Sequence, residues 1–425
     1  MDNILYGTMP NGIRYIFTHT NEGDQSVGIF IRVHYGTAFD KKPGLAHLLE
    51  HLLFKGTKAR PRSVEIMRQL NSIGAECNAY TDYTETAYYS KCAHVHLEKN
   101  LELLCDMITG TDFGAAKMER EFRHEKTVVA EELKGILDNP KRYIGELVRK
   151  NLFAGKLARN VKDSLAALPG ITLADVIAAY RQYYVGSNIV VSINGNLSGW
   201  HSPRTPRTLL YKFLGRLPRG RANTQLFRTG AGAHFATRPL LRQICKSATP
   251  TNQTVIQITY PVVMSSSKQE YYLQLFQLVF ANLTSGRLFQ SLREQQGLIY
   301  SVKADFVKHD DVGYFAIKTT TTTTNVPRVL AILHKEIARV QRGGLSRTEF
   351  ALAKANFLAT WAMTQEDVMI PAAFHGAQLF YANSNKTTLL LYSDVSSRLI
   401  DKITLANINA FIARLLSKPA IVTLL

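Results

Sequence analysis

The first strong pattern in the chain is alternation. "GIRYIF" (residues 12–17) and "VGIFIRVHYG" (27–36) place apolar side chains at every second position and predict strands, whereas 44–56, 62–73 and 114–137 carry the 3.6-residue period of helices. Residues 76–93, "ECNAYTDYTETAYYSKCA", are rich in Thr and Tyr and predict a hairpin or one long strand. Thr172 followed by Asp175 has the spacing of a capping box at the start of a helix. Further on, the pattern predicts a helix over 268–295, strands near 299–321 that run into the threonines Thr319 to Thr324, and a helix capped by Ser346 and Glu349 after Gly343-Gly344. Strands followed by runs of helices predict an α+β fold.

The pattern repeats. "ITLADVIAAYRQYYVGSNIVVSI" from Ile171 returns as "ITLANINAFIARLLSKPAIVTLL" from Ile403, and "QSVGIFIRVHYG" from Gln25 is echoed by "QTVIQITYPVVM" from Gln253. The offsets, 232 and 228 residues, agree closely enough to predict two copies of one domain. Expected boundaries are 1–200 for the first copy, 201–235 for a basic linker and 236–425 for the second. Each copy is expected to build an antiparallel-rich mixed sheet packed with helices.

Composition narrows the class. At 425 residues and 46% hydrophobic the chain can fill two cores. It shows no apolar run of membrane-spanning length, and its first residues lack the pattern of a signal or transit peptide. Four cysteines (Cys77, Cys92, Cys105, Cys245) without metal or disulfide spacing suit the cytoplasm or another reducing compartment. The net charge of +18 is concentrated locally, because no acidic residue occurs between Asp175 and Glu270. The basic 204–246 segment is expected to be a solvated connection; the alternative is a docking patch for an acidic partner or nucleic acid. A nucleic-acid role lacks any accompanying fingerprint or regular pattern of aromatics.

Candidate chemistry enters with "PGLAHLLEHLLFKGT". His47, Glu50 and His51 stand at i, i+3 and i+4 and therefore share one helical face, while Leu45, Leu48, Leu49, Leu52 and Leu53 fill the rest. A carboxylate beside two imidazoles in apolar surroundings needs compensation, and a divalent metal held by His47 and His51 supplies it. Glu50, one turn from both, is then placed to act on water. Zinc hydrolases use three protein ligands, so a third is expected elsewhere. In "FRHEKTVVAEELKGI", Glu125, Val128, Val129, Glu132 and Ile136 share a stripe, which makes Glu132 the expected ligand and Glu125 a supporting group one layer away. Glu131, on the polar side, remains the alternative. In the second copy the corresponding positions are Leu275, Leu278 and Val279, so the helix persists and the ligands are gone.

Together these segments resemble the pitrilysin/insulinase family of metallopeptidases, with His47-Leu-Leu-Glu50-His51 as its inverted zinc motif. The short two-domain chain is similar to the processing peptidases. "TMPNGIRYIF" resembles the first strand of the family, "EKTVVAEEL" its third-ligand helix, "GAECNAYTDYTETAYY" its substrate strand and "GRLFQSLREQQGLIYSV" a substrate-contacting segment. The resemblance implies one zinc per chain on His47, His51 and Glu132, with Glu50 as the catalytic base and Asn78 and Ala79 binding an extended substrate. It further implies that Arg293 and Tyr300 bind substrate and stabilise the reacting carbonyl. The implied function is zinc-dependent endopeptidase cleavage of extended peptides or unfolded segments inside a closed chamber. Longer relatives close two halves of a clamshell, so this chain is expected to be one half that pairs as a homodimer or, alternatively, with a related chain. The competing expectation is a non-catalytic partner subunit of such an assembly.

Overall fold

The structure, a computed structural model, describes residues 4–197, 205–223, 235–237, 239–245, 252–264, 267–309, 312–381 and 389–425. Much of the basic segment, including 224–234, lies outside the described residues, and with it the acidic-partner and nucleic-acid expectation for 204–246. Among the described residues no single helix is long and apolar enough to cross a membrane.

The chain forms two compact units, each with mixed helices and sheet. The first comprises Met1–Glu132, Lys162–Leu226 and Thr364–Tyr392, the second Leu133–Val161, Phe227–Met363 and Ser393–Leu425. The division therefore does not follow the halves of the sequence, for a reason visible in each sheet.

In chain order the first half provides β1 (Ile4–Thr8), β2 (Arg14–His19), β3 (Ser26–Val33), α1 (Leu45–Leu53), α2 (Ser63–Ser72), β4 (Glu76–Thr81), β5 (Thr86–Ala93), α3 (Leu97–Thr109) and α4 (Ala116–Leu137). Then come α5 (Pro140–Leu152), α6 (Val161–Ala167), α7 (Leu173–Tyr183), β6 (Ile189–Gly195) and α8 (Pro206–Leu214). The second half provides β7 (Arg242–Ile244), β8 (Gln253–Val263), α9 (Ser267–Gln277), the short α10 (Arg287–Phe289), β9 (Val302–His309) and β10 (Val312–Thr322). It ends with α11 (Val326–Gly343), α12 (Arg347–Thr364), α13 (Met369–Tyr381), α14 (Leu405–Leu416) and β11 (Ile421–Leu424).

The first sheet has the order β1-β2-β6-β3-β5-β4 and the second β7-β11-β8-β10-β9. In each, the strand after the repeated helix inserts between two others. β6 runs parallel to β2 and antiparallel to β3, and β11 runs parallel to β7 and antiparallel to β8. This is the repeat read from Ile171 and Ile403, expressed as topology. The predicted capping box is present, with the Thr172 hydroxyl accepting from the Asp175 N–H at 3.2 Å while the Asp175 carboxylate accepts from the Thr172 N–H at 2.8 Å. Ser346 and Glu349 form the same device ahead of α12.

Each sheet has one face covered by a helix from the other half of the chain. α13 lies on β2, β3 and β6, and α5 lies on β8 and β11. Ser192 donates to the carbonyl of Ala372 at 2.7 Å, and Gly376 permits this approach, since a β-carbon there would collide with the Ser192 hydroxyl. A strand's alternation shows that its face must be covered without naming the cover, so sequence boundaries at 200 and 236 could not include this exchange.

The helix expected over 268–295 is broken. α9 ends in a wide turn over Leu278–Asn282, and Leu283 and Gly286 are extended before α10. The Asn282 side chain donates to the Ala304 carbonyl at 2.9 Å and accepts from its N–H at 2.7 Å, tying the chain to β9 at the point where the helix would continue.

Candidate metal centre

α1 starts abruptly. Gly44 takes a left-handed φ of 90°, which favours glycine, and no side chain of its own caps the helix. Instead Asp40 accepts from the N–H of Ala46 at 3.0 Å and from the Tyr35 hydroxyl at 2.8 Å. The carboxylate satisfies a first-turn donor and complements the positive helix end. The leucines of α1 are buried, which fixes the helix phase and turns His47, Glu50 and His51 to one side.

On that side the two rings meet edge to face with centroids 4.8 Å apart. Glu132 of α4 approaches both, its Oε2 lying 3.5 Å from His47 Nε2 and 3.5 Å from His51 Nε2. One ligand atom from each of His47, His51 and Glu132 falls within 4.8 Å of the others, and among the described residues this is the one such group of three. A tetrahedral metal with ligand atoms at about 2.0–2.1 Å separates them by about 3.3–3.4 Å, so the donor set and spacing fit zinc.

The stripe on α4 differs from the expected one. Phe122, Glu125, Val129 and Leu133 are buried, whereas Val128 is exposed and Glu132 keeps 45% of its side chain accessible. Glu132 is thus not the buried carboxylate that the pattern suggested. It stands at the margin of the stripe, where it reaches both imidazoles and still meets solvent. Glu131 is exposed and outside the group of three.

Behind this group of three, Glu125 is 1% exposed and bonds His51 Nδ1 at 3.0 Å, leaving Nε2 to face Glu132. Lys55 Nζ lies 2.7 Å from the other oxygen of Glu125. Burial opposes charge on His51, but its hydrogen bonds to Glu125 and then Glu132 outweigh this and raise its pKa to about 9. Hydrogen bonds to His47 and His51 hold the Glu132 carboxyl well below the usual range. Glu50 is pushed up, chiefly by burial, with a hydrogen bond from Thr81 opposing the shift. That bond, Thr81 Oγ1 to Glu50 Oε2, is 2.6 Å.

β4, which carries Asn78 and Ala79, is one of the two edge strands of its sheet. The Asn78 side chain accepts from the Ala79 N–H at 2.8 Å. Arg293 and Tyr300 belong to the second unit. There Arg293 Nη1 donates to the Tyr300 carbonyl at 2.9 Å, and its guanidinium lies 4.9 Å from the centre of the Tyr300 ring, which is 81% exposed.

Sequence reasoning missed Lys55 and Thr81. Lys55 stands four residues after His51 inside the quoted metal segment, and Thr81 shares the parity of Cys77 and Ala79 along β4. Those two spacings are the only sequence signals for either residue.

Comparison with known proteins agrees with the geometry. Residues 15–163 match the family model described as Insulinase (Peptidase family M16), and 170–357 match the model described as Peptidase M16 inactive domain. The chain is 27% identical over 375 residues to an "uncharacterized zinc protease" of Streptomyces coelicolor, covering 85% of this chain and 77% of that protein. It is 25% identical over 386 residues to another of Bacillus subtilis, covering 89% of each. In fold it is similar to a peptidase M16 inactive domain from Pseudomonas fluorescens, with a TM-score of 0.84 at 17% identity over 99% of this chain and 98% of that one. It is also similar to a protease from Helicobacter pylori, with a TM-score of 0.82 at 17% identity over 99% and 98%.

Proposed function

The chain belongs to the insulinase (M16) peptidase family, and from that premise we propose that it is a zinc-dependent endopeptidase acting on extended peptides or unfolded segments. The observation that carries the reading is the convergence of His47, His51 and Glu132 beside Glu50. The second copy has Leu275, Leu278 and Val279 in place of the two histidines and Glu50, so the reading assigns one metal to each chain.

When bound, zinc lowers the pKa of water to about 7 and polarises a carbonyl. Glu125 orients His51, and Lys55 keeps Glu125 in place. Glu50 accepts a proton from the attacking water and returns it to the leaving amine. The open edge of β4 receives the substrate as an added strand, so backbone groups supply much of the affinity and sequence preference is loose. In this reading Asn78 must release the Ala79 N–H when substrate pairs there. Tyr300 and Arg293 stabilise the oxyanion.

The reading includes a homodimer in which the metal site of one protomer is completed by Arg293 and Tyr300 of its partner, a two-fold arrangement with two composite sites. A heterodimer with a related chain is the alternative. Assaying an unfolded protein substrate with purified enzyme before EDTA, after EDTA and after zinc is restored tests the function. Zinc-dependent cleavage that Glu50→Gln abolishes is expected. A protein that retains zinc but cleaves nothing would instead be a non-catalytic partner subunit.

A further inference from the structure

The Glu50 carboxylate is tethered on one side only. Its two oxygens differ. Oε2 accepts from Thr81 at 2.6 Å, while Oε1 accepts no hydrogen bond from the described residues. Resting on the peptidase reading above, we infer that Thr81 is a positioning residue for the general base, tying down Oε2 and so holding the Glu50 carboxylate in one orientation.

Proton accounting supports the assignment. Thr86 lies opposite Thr81 in the β4–β5 register, and the two hydroxyl oxygens are 3.3 Å apart. Thr86 spends its proton on the Tyr35 carbonyl at 2.8 Å, an acceptor only. An ionised Glu50 is also an acceptor only, so the single proton of Thr81 is committed to Oε2.

The strand that presents Thr81 is itself anchored. On the opposite face of β4, the Tyr80 hydroxyl donates to Glu85 Oε1 at 2.7 Å and accepts from Arg32 Nη1 at 3.0 Å. Arg32 and Glu85 form a buried ion pair, and Arg32 also reaches the Ala373 carbonyl of α13 at 3.1 Å. Alternation along β4 thus sends one residue into a fixed polar anchor and the next to the base. A charge-assisted bond of this length constrains a carboxylate more than a neutral one would.

Thr81→Val, which keeps the shape and removes the donor, is the test, with Thr81→Ser as the conservative control. Thr81→Val is expected to retain one zinc per chain and a KM within about twofold of wild type while kcat falls about 10–100-fold, part of what general-base catalysis contributes. Thr81→Ser should restore kcat to within about threefold, since it returns the hydroxyl. Crystal structures of the metal-free proteins should show one Glu50 rotamer in wild type and Thr81→Ser and more than one in Thr81→Val. An unchanged kcat in Thr81→Val, loss of zinc in that variant, or no recovery in Thr81→Ser would overturn the assignment. If zinc-loaded wild type cleaves no peptide, the peptidase reading fails, while the rotamer comparison still judges the role of Thr81.

Discussion

The ammonium of Lys55 lies 2.7 Å from Oε1 of Glu125, so the carboxylate that orients His51 is held by a residue only four positions beyond that histidine. Glu125 is almost wholly buried, and its charge is tolerated because a cation and an imidazole meet its two oxygens. Burial would raise its pKa, but the hydrogen bond to His51 and the ion pair with Lys55 prevail and lower it.

Glu125→Gln should weaken zinc binding by about 10–100-fold without removing a ligand. Lys55→Met should leave the carboxylate short of a cation and lower stability by about 2 kcal/mol, whereas adding Glu125→Gln to it should recover more than half of that loss. Competition with a chelator measures the first effect and denaturant unfolding of the metal-free proteins the second. Full additivity of the two substitutions would show that the pair is not coupled.

Metal analysis separates the proposed ligands from the proposed base. His51→Ala and Glu132→Gln should lose stoichiometric zinc, while Glu50→Gln should retain one ion per chain and lose about 100–10,000-fold in kcat, as expected for removal of an acid–base group. Undiminished zinc in Glu132→Gln would transfer the third ligand to another acid.

The stability of the protein should fall in mild acid partly through His375. Its Nε2 accepts from the Tyr392 N–H at 3.0 Å, so the ring is neutral, with its proton on Nδ1 beside the Thr18 hydroxyl at 3.2 Å. Burial lowers its pKa to about 4 from an ordinary 6.5. The unfolded chain therefore binds a proton that the folded one refuses between these values, and stability drops as pH falls through that window. From pH 7.5 to 5 the contribution of this residue is about 2 kcal/mol. Denaturant unfolding of chelated wild type and His375→Gln at both pH values should show a correspondingly smaller acid loss in the variant. Parallel pH profiles would assign the acid sensitivity to other groups.

Shared sites predict complementation. Glu50→Gln protein mixed with an Arg293→Ala/Tyr300→Ala protein should form hetero-paired dimers that each hold one intact site. At equal mixing with full exchange, activity should recover to about a quarter of wild type, because about half of the dimers are mixed and each has one of two sites. Absence of recovery, with exchange demonstrated by differently tagged chains, would mean that each chain completes its own site or that the true partner is a related protein.

The shared face of His47, Glu50 and His51 was legible in the sequence because the three lie within five positions, and helical geometry alone puts i, i+3 and i+4 on one side. The repeat was legible for a related reason, since an element's apolar period travels with it when a domain is duplicated. The α4 stripe was only half legible. Periodicity located Glu125, but Val128 is exposed and Leu133 buried, and that small rotation moves Glu132 from the buried face to its edge. The contacts of Thr81 and Lys55 were decided by tertiary structure, because a threonine in a strand and a lysine after a helix are ordinary until Glu50 and Glu125 come close to them. The exchange of α13 and α5 was decided there too. A sequence records that one face of a sheet must be kept from water. Which helix covers it depends on shape and contact between segments far apart in the chain, such as the closeness that Gly376 allows against Ser192.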